Sequence, residues 1–321
     1  MTETLLCVEN LTKYFDAQEN AVVRSKAKVK AVDDISFSVE KGSVFALVGE
    51  SGCGKSTTAR LILKLIQPTK GKVSFEGKDI YSLSSKELLK TRRDIQMIFQ
   101  DPYSSLNPRW RIEQILSEPL DTHHIGTRAE RKEMVKNILE IVGLREEDSQ
   151  KYPHEFSGGQ RQRIGIARAL ITHPKFVICD EPISALDVSI QAQIINLLKD
   201  LQQEFKLTYL FITHDLRIVQ FLCDMVGVMY LGKIVEIGST EAIFRDPKHP
   251  YSQALFSAIP QPDPFNVKAE ITLEGDVPSP LNPPSGCRFH TRCQYAMPVC
   301  SELEPLLKVI EGNHKCACHL L

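Results

Sequence analysis

The sequence predicts an α/β fold: a parallel-sheet core organised around a phosphate-binding loop, a helical stretch after it, and a small loop-rich tail. Three observations lead there. An apolar run over 43–48 reads as a buried strand, passes through Gly49-Glu50-Ser51-Gly52-Cys53-Gly54-Lys55-Ser56, and enters a helical pattern over 57–66. Apolar residues recur at three- and four-residue spacing over 112–120, 128–142 and after Gln160. Beyond about residue 261 prolines crowd the chain (Pro262, Pro264, Pro278, Pro280, Pro283, Pro284), which argues for loops and little core.

The loop fits G-x-x-x-x-G-K-[S/T], in which backbone N–H groups wrap a polyphosphate. Lys55 would reach the β and γ oxygens, and the Ser56 hydroxyl would hold Mg²⁺. Glycines are required because bare backbone must approach the phosphates through torsion angles a Cβ forbids. The helix that follows turns its positive end to the anion. A glycine turn without function would lack this strand–loop–helix setting.

A second anion-binding helix start lies at Phe156-Ser157-Gly158-Gly159-Gln160, ahead of the Arg-rich stretch 161–171, with Ser157 as cap. One chain has no need of two such sites for one nucleotide. Two copies facing head to tail would use both, each sandwiching ATP between its own loop and the partner's Ser-Gly-Gly-Gln. On these runs the chain resembles the nucleotide-binding subunits of ABC transporters, over residues 5 to about 240. The resemblance implies a P-loop NTPase (RecA-like) core with an antiparallel β subdomain and an inserted α-helical subdomain.

The family's other parts follow in order. The strand 176–180 ends in Asp180 and Glu181, which the resemblance makes a Mg²⁺ support and the general base that polarises water. Pro182 and Ser184-Ala185-Leu186-Asp187 resemble the family's D-loop. His214, directly after the strand 208–213, takes the place of the switch histidine at the γ-phosphate. Gln100, after the strand 95–99, takes that of the glutamine linking Mg²⁺ and water to the membrane partner. The implied catalytic set is therefore Glu181, His214, Lys55 and Gln100, with Mg²⁺ held through Ser56, Gln100 and Asp180. Nucleotide contacts would come from Gly49, Ser51, Gly52, Cys53, Gly54, Lys55, Ser56 and Thr57, and from Ser157, Gly158, Gly159 and Gln160 of a facing subunit. Adenine needs a flat aromatic surface. The family places it after the first strand, here 5–9, so Phe15 is the choice and Tyr14 the runner-up. Residues 17–30, polar and basic without a period, read as a flexible insertion. Phe156, Cys179 and Ile183 depart from the family's usual residues, but none removes a phosphate-contacting group.

Composition fits a folded chain of 321 residues and two domains. With 39 basic and 40 acidic residues no basic field points to nucleic acid. No apolar run approaches the roughly 18 residues that span a bilayer, and the N-terminus lacks a signal-peptide pattern. A transport role must then come from docking onto separate membrane subunits, at the cytoplasmic face of the membrane. The expected boundaries are 1–245 for the nucleotide-binding domain, with 101–172 as its helical subdomain, and 246–321 for the extension.

Two segments narrow the resemblance. The run 101–108 is similar to that of dipeptide, oligopeptide and nickel importers, where the neighbouring groove receives a coupling helix from the permease. The run 249–260 is similar to the C-terminal extension of the same importers. Five of nine cysteines lie in the tail: Cys287, Cys293, Cys300, Cys316 and Cys318. A loop-rich module without a sizeable core needs a cross-link or a metal, and an ATPase in reducing cytosol is not a place for disulfides. The C-x₅-C-x₆-C spacing is wider than a zinc pair requires; four irregularly spaced thiolates can hold an iron–sulfur cluster. The tail resembles the cysteine motif of peptide-importer ATPases, some of which carry [4Fe–4S]. That implies Cys287, Cys293, Cys300 and Cys318 as ligands, with Cys316 spare; His290, His314 and His319 keep zinc as the alternative. The expected role is structural, with redox sensing as the other reading. Cys7, Cys53, Cys179 and Cys223 read as small hydrophobes.

The resemblance implies two permease subunits, a second related ATPase or a second copy of this chain, and indirectly a substrate-binding protein. A nickel-type importer ATPase, a non-transport ABC ATPase in translation or repair, and an ATP-driven iron–sulfur reductase are the rival readings. The sequence shows neither the second cassette nor the basic surface usual in translation or repair ATPases.

Overall fold

The computed structural model describes residues 3–16, 28–259 and 271–321. They form two compact units, one taking in residues up to 40, 44–81 and 212–321, the other 41–43 and 82–211. The extension 246–321 packs within the first unit, and 101–172 lies inside the second.

In the first unit an antiparallel sheet runs in the order Lys28–Glu40, Thr4–Asp16, Lys70–Phe75, Lys78–Asp79. Its alternating burial over Ile35, Phe37 and Val39 leaves one face for the core. The first strand is longer than the expected 5–9. Phe15 pairs with Val29 and Asp16 with Lys28, so residues 28–30 are strand rather than insertion. Residues 17–27 of that expected insertion lie outside the described residues, as do Pro262 and Pro264.

The same unit carries the strand Val44–Val48, buried throughout, parallel to Met225–Tyr230. Burial on both faces explains its unbroken apolar run. Lys233–Ser239 continues antiparallel, and the tail adds two short strands beyond it: Glu236 pairs with Cys316, and His314–Cys316 pairs with Lys308–Glu311. The tail is thus tied by sheet addition as well as by loops. Between these strands and the cysteine segment sits an aromatic cluster: Tyr230 and Tyr251 at 4.7 Å, Tyr230 and Phe289 edge-on at 5.3 Å, Tyr251 and Phe289 at 5.4 Å.

In the second unit Ile95–Ile98 pairs in parallel with Phe176–Asp180, and residues 208–211 of the strand Thr208–Thr213 lie on its other side. The helices Ile112–Thr122, Arg128–Ile141 and Gly158–Leu170 pack together, with Ile115, Leu116, Val135, Leu139, Ile164 and Ala167 buried. The first two match the expected spans within two residues; the third starts at Gly158, ahead of the expected 161, because Ser157 closes a capping box there, as Thr127 does for the second. Among the described residues no helix is long and apolar enough to cross a membrane.

Candidate functional site

The first unit builds the phosphate loop. Val44–Val48 delivers the chain to Gly49, and the helix Lys55–Ile62 leaves from Gly54, whose left-handed φ of 110° caps it. The helix starts two residues earlier than the sequence suggested and ends sooner. Glycine is required twice over: a Cβ on Gly49 would collide with the Met229 carbonyl oxygen, and one on Gly54 with that of Ala31. Inside the loop the buried Lys55 ammonium donates to the carbonyls of Gly49 at 2.7 Å and Glu50 at 3.0 Å. The Gly232 N–H donates to Cys53 O at 2.8 Å, and the Glu50 N–H to the Tyr251 hydroxyl at 3.0 Å. The loop is therefore braced by Gly232 and Tyr251, both more than 175 residues further along the chain.

Tyr14 and Phe15 lie on the first strand, not after it. The Tyr14 hydroxyl donates to Asp33 at 2.5 Å, and burial together with that bond pushes its pKa up to about 12. Burial alone would raise the Asp33 carboxyl. The Tyr14 bond and the cations Arg288, Lys233 and Lys30 outweigh it and hold it below the usual carboxylate value. Phe15 is 37 % exposed, with the Lys13 ammonium 4.9 Å from its ring centre. His214 is exposed directly after its strand, in the same unit.

The second unit holds Gln100, Asp180, Glu181 and Ser157–Gln160. Asp180 is buried at the strand end, and Glu181 turns the chain with a φ of 46°. Few non-glycine residues adopt that conformation, and such strain gathers at functional sites. The Gln100 side-chain amide donates to a Glu181 carboxylate oxygen at 3.0 Å, so the structure brings these two candidates together across 81 residues. Ser157 and Gln160 cap one another: Gln160 N–H to Ser157 Oγ at 3.3 Å, Ser157 N–H to Gln160 Oε1 at 3.0 Å. A Cβ on Gly159 would run into Ile190 Cγ2, whereas Gly158 has Leu186 at an ordinary 3.5 Å. Gly159→Ala is expected to destabilise the fold by about 1–3 kcal/mol through overpacking. Adding Ile190→Ala should recover most of it in thermal denaturation; no recovery would mean the glycine serves another need.

The tail cysteines converge. Cys287, Cys293, Cys300 and Cys318 lie near one another, and Cys316 lies near Cys287 and Cys318 as well. Burial is the main influence and pushes the Cys287 thiol up to about 11. Backbone N–H groups donate to three of the sulfurs: Phe289 to Cys287, Tyr295 to Cys293, and His319 and Leu320 to Cys318. Yet among the described residues no group of three or more His, Cys, Asp or Glu side chains is placed to hold a metal ion. The histidines named for zinc are engaged elsewhere: His314 pairs with buried Glu236 at 2.7 Å, His290 faces the Cys287 carbonyl and His319 that of Leu303.

Sequence reading missed Glu50, Asp33, Arg288 and Arg292 as parts of this site. Arg292 bonds both Glu50 carboxylate oxygens at 3.0 and 3.2 Å, and Arg288 bonds Asp33 and the Leu231 carbonyl. The available signal was two arginines bracketed by Cys287 and Cys293.

Comparison with known proteins agrees with this geometry. A model of the ABC transporter family matches residues 32–184, and one described as the oligopeptide/dipeptide transporter C-terminal region matches 235–300. The chain is 52% identical to the oligopeptide transport ATP-binding protein AppF of Bacillus subtilis, covering 99% of this chain and 98% of that protein. It is 51% identical to a putative peptide import ATP-binding protein of Brucella ovis, over 99% and 98%. Among solved structures, the dimeric post-hydrolysis ATP-binding cassette MJ0796 with ADP and Pi matches with a TM-score of 0.65 and 29% identity, covering 74% of this chain and 99% of that one. CbiO1 of Clostridium perfringens, part of the ABC transporter complex cbiONQ, matches with 0.64 and 30%, over 76% and 92%.

Proposed function

The chain belongs to the ABC transporter family, and from that premise we infer that it binds and hydrolyses ATP to power import of dipeptides and oligopeptides through separate permease subunits. It works as a head-to-tail dimer with a second copy or a related ATPase, peripheral to the membrane on its cytoplasmic side. The near full-length match to an oligopeptide transport ATP-binding protein carries the peptide assignment, and the phosphate loop around Lys55 carries the ATPase. The nickel and non-transport alternatives find no support among the relatives named above.

The residue roles are our proposal. Lys55 takes the β and γ oxygens and Ser56 a Mg²⁺ position, with Gln100 and Asp180 as the further Mg²⁺ groups. Gly49, Ser51, Gly52, Cys53, Gly54 and Thr57 supply the loop. Ser157, Gly158, Gly159 and Gln160 close on the nucleotide bound by the facing subunit. Glu181 activates water, and His214 steadies the γ-phosphate, so catalysis is positioning and charge stabilisation. The Gln100–Glu181 contact supports this, since water and metal are then managed by one linked pair. Phe15 stacks on adenine; its exposure favours it over Tyr14, whose hydroxyl is committed to Asp33. The exposed Tyr103 and the groove beside Trp110, Gln114 and Arg131 fit a surface for the permease.

The four tail cysteines hold a [4Fe–4S] cluster in this reading. The resemblance of the cysteine motif supports this reading, as do the nearness of the four thiols to one another and the N–H groups at three of their sulfurs. Its contribution when bound is to cross-link the tail. Anaerobic purification should give about four irons and four sulfides per chain, lost on replacing Cys287 or Cys318 with Ser but retained in Cys316→Ser. Stoichiometric zinc, or no metal, would refute the cluster and leave the ATPase assignment standing.

A further inference from the structure

We propose that Arg292, at the end of the cysteine segment, is a positioning residue of the phosphate loop: it holds and neutralises Glu50 so that the loop can accept a polyphosphate. The proposal rests on the phosphate-loop reading of residues 49–56. An acid within an anion-binding loop opposes its own ligand unless its charge is matched, because like charges at close range repel. Here the match is specific. One guanidinium nitrogen of Arg292 reaches both Glu50 oxygens, at 3.0 and 3.2 Å, and the Arg292 side chain is only 8 % exposed.

Glu50 is fixed at every polar group. Its N–H donates to Tyr251, its carboxylate is held by Arg292, and its carbonyl accepts from Lys55 at 3.0 Å and from the Cys53 N–H at 3.3 Å. Moving Glu50 therefore moves a carbonyl that orients the Lys55 ammonium. The source of the guanidinium is itself anchored. Phe289, three residues before it, is buried among Tyr230, Tyr251 and His249, and Arg288 reaches Asp33, the partner of Tyr14. Residues 288–292 thus grip the nucleotide side of the first unit at two points, one on the phosphate loop and one beside the candidate adenine aromatics.

A purely stabilising pair would be expected to satisfy its buried donors. Among the described residues Arg292 Nε is buried without a hydrogen-bond partner, so the burial is incompletely compensated, as a pair kept for position can be.

The test is equilibrium binding of a fluorescent ATP analogue to the full-length chain. Arg292→Gln is expected to weaken binding about tenfold, a 1.4 kcal/mol change, by freeing the Glu50 carboxylate. Glu50→Gln added to it should restore most of the affinity, and the deficit should shrink from about 0.05 to about 0.5 M salt as repulsion is screened. Arg292→Lys, which keeps the charge, should bind within about threefold of wild type. Unchanged binding in Arg292→Gln, a double variant as weak as the single, a deficit insensitive to salt, or Arg292→Lys as weak as Arg292→Gln would overturn the proposal. A wild-type chain that binds no analogue would overturn the loop reading and this proposal with it.

Discussion

Replacing Glu181 with Gln is expected to lower ATP turnover about 100- to 10,000-fold, the usual range for losing a general base, while ATP binding survives. The substitution is isosteric, and the left-handed backbone at Glu181 is set by the chain around it: the Glu181 carbonyl accepts from the Ser184 N–H at 3.2 Å and its hydroxyl at 3.1 Å. Gln100 can donate to the new amide oxygen as it does to the carboxylate. What disappears is the charge that, in the proposed role, draws a proton from water. Bound ATP then persists, and the variant should accumulate as an ATP-bound dimer visible by size exclusion with Mg²⁺-ATP. Hydrolysis at the wild-type rate would remove Glu181 from the role of base.

Lys55→Met acts at the earlier step. The ammonium lies buried within the loop, held by two carbonyls it can exchange for phosphate oxygens. Methionine keeps most of the unbranched stem and removes the charge. Truncating one partner of a buried, hydrogen-bonded charge pair costs about 2–5 kcal/mol, so the Kd for ATP should rise about 30-fold to several thousand-fold. Thermal stability without nucleotide should change little by comparison. Titration of the variant with a fluorescent nucleotide decides it, and affinity within threefold of wild type would contradict the assignment.

How much was legible in the sequence depended on how local the cause was. The phosphate loop could be read because its glycines answer a backbone need at fixed spacing, the helix at 128 from its apolar spacing, and the helix at Ser157 because a serine cap stands ahead of two glycines. The strand Thr4–Asp16 was cut short in reading because its register slips near Val8, Leu11 and Lys13, which breaks the alternation that marks a strand. The tail strands Lys308–Glu311 and His314–Cys316 are too short to declare themselves: the second forms by pairing onto Lys233–Ser239 and the first by pairing onto the second. The Arg292–Glu50 contact spans 242 residues, and the left-handed turn at Glu181 is imposed by its surroundings, since no glycine or asparagine announces it. The five tail cysteines stand out in the sequence; the N–H groups at their sulfurs do not, because those belong to the folded backbone.

The most direct test of the account is uptake of a labelled oligopeptide by cells that lack this chain, complemented with wild type or with Glu181→Gln at equal expression. Uptake restored by wild type and absent with Glu181→Gln is the expected result, since import would then require hydrolysis at this subunit. Equal uptake with both, or no dependence on the chain at all, would contradict an ATPase that powers peptide import.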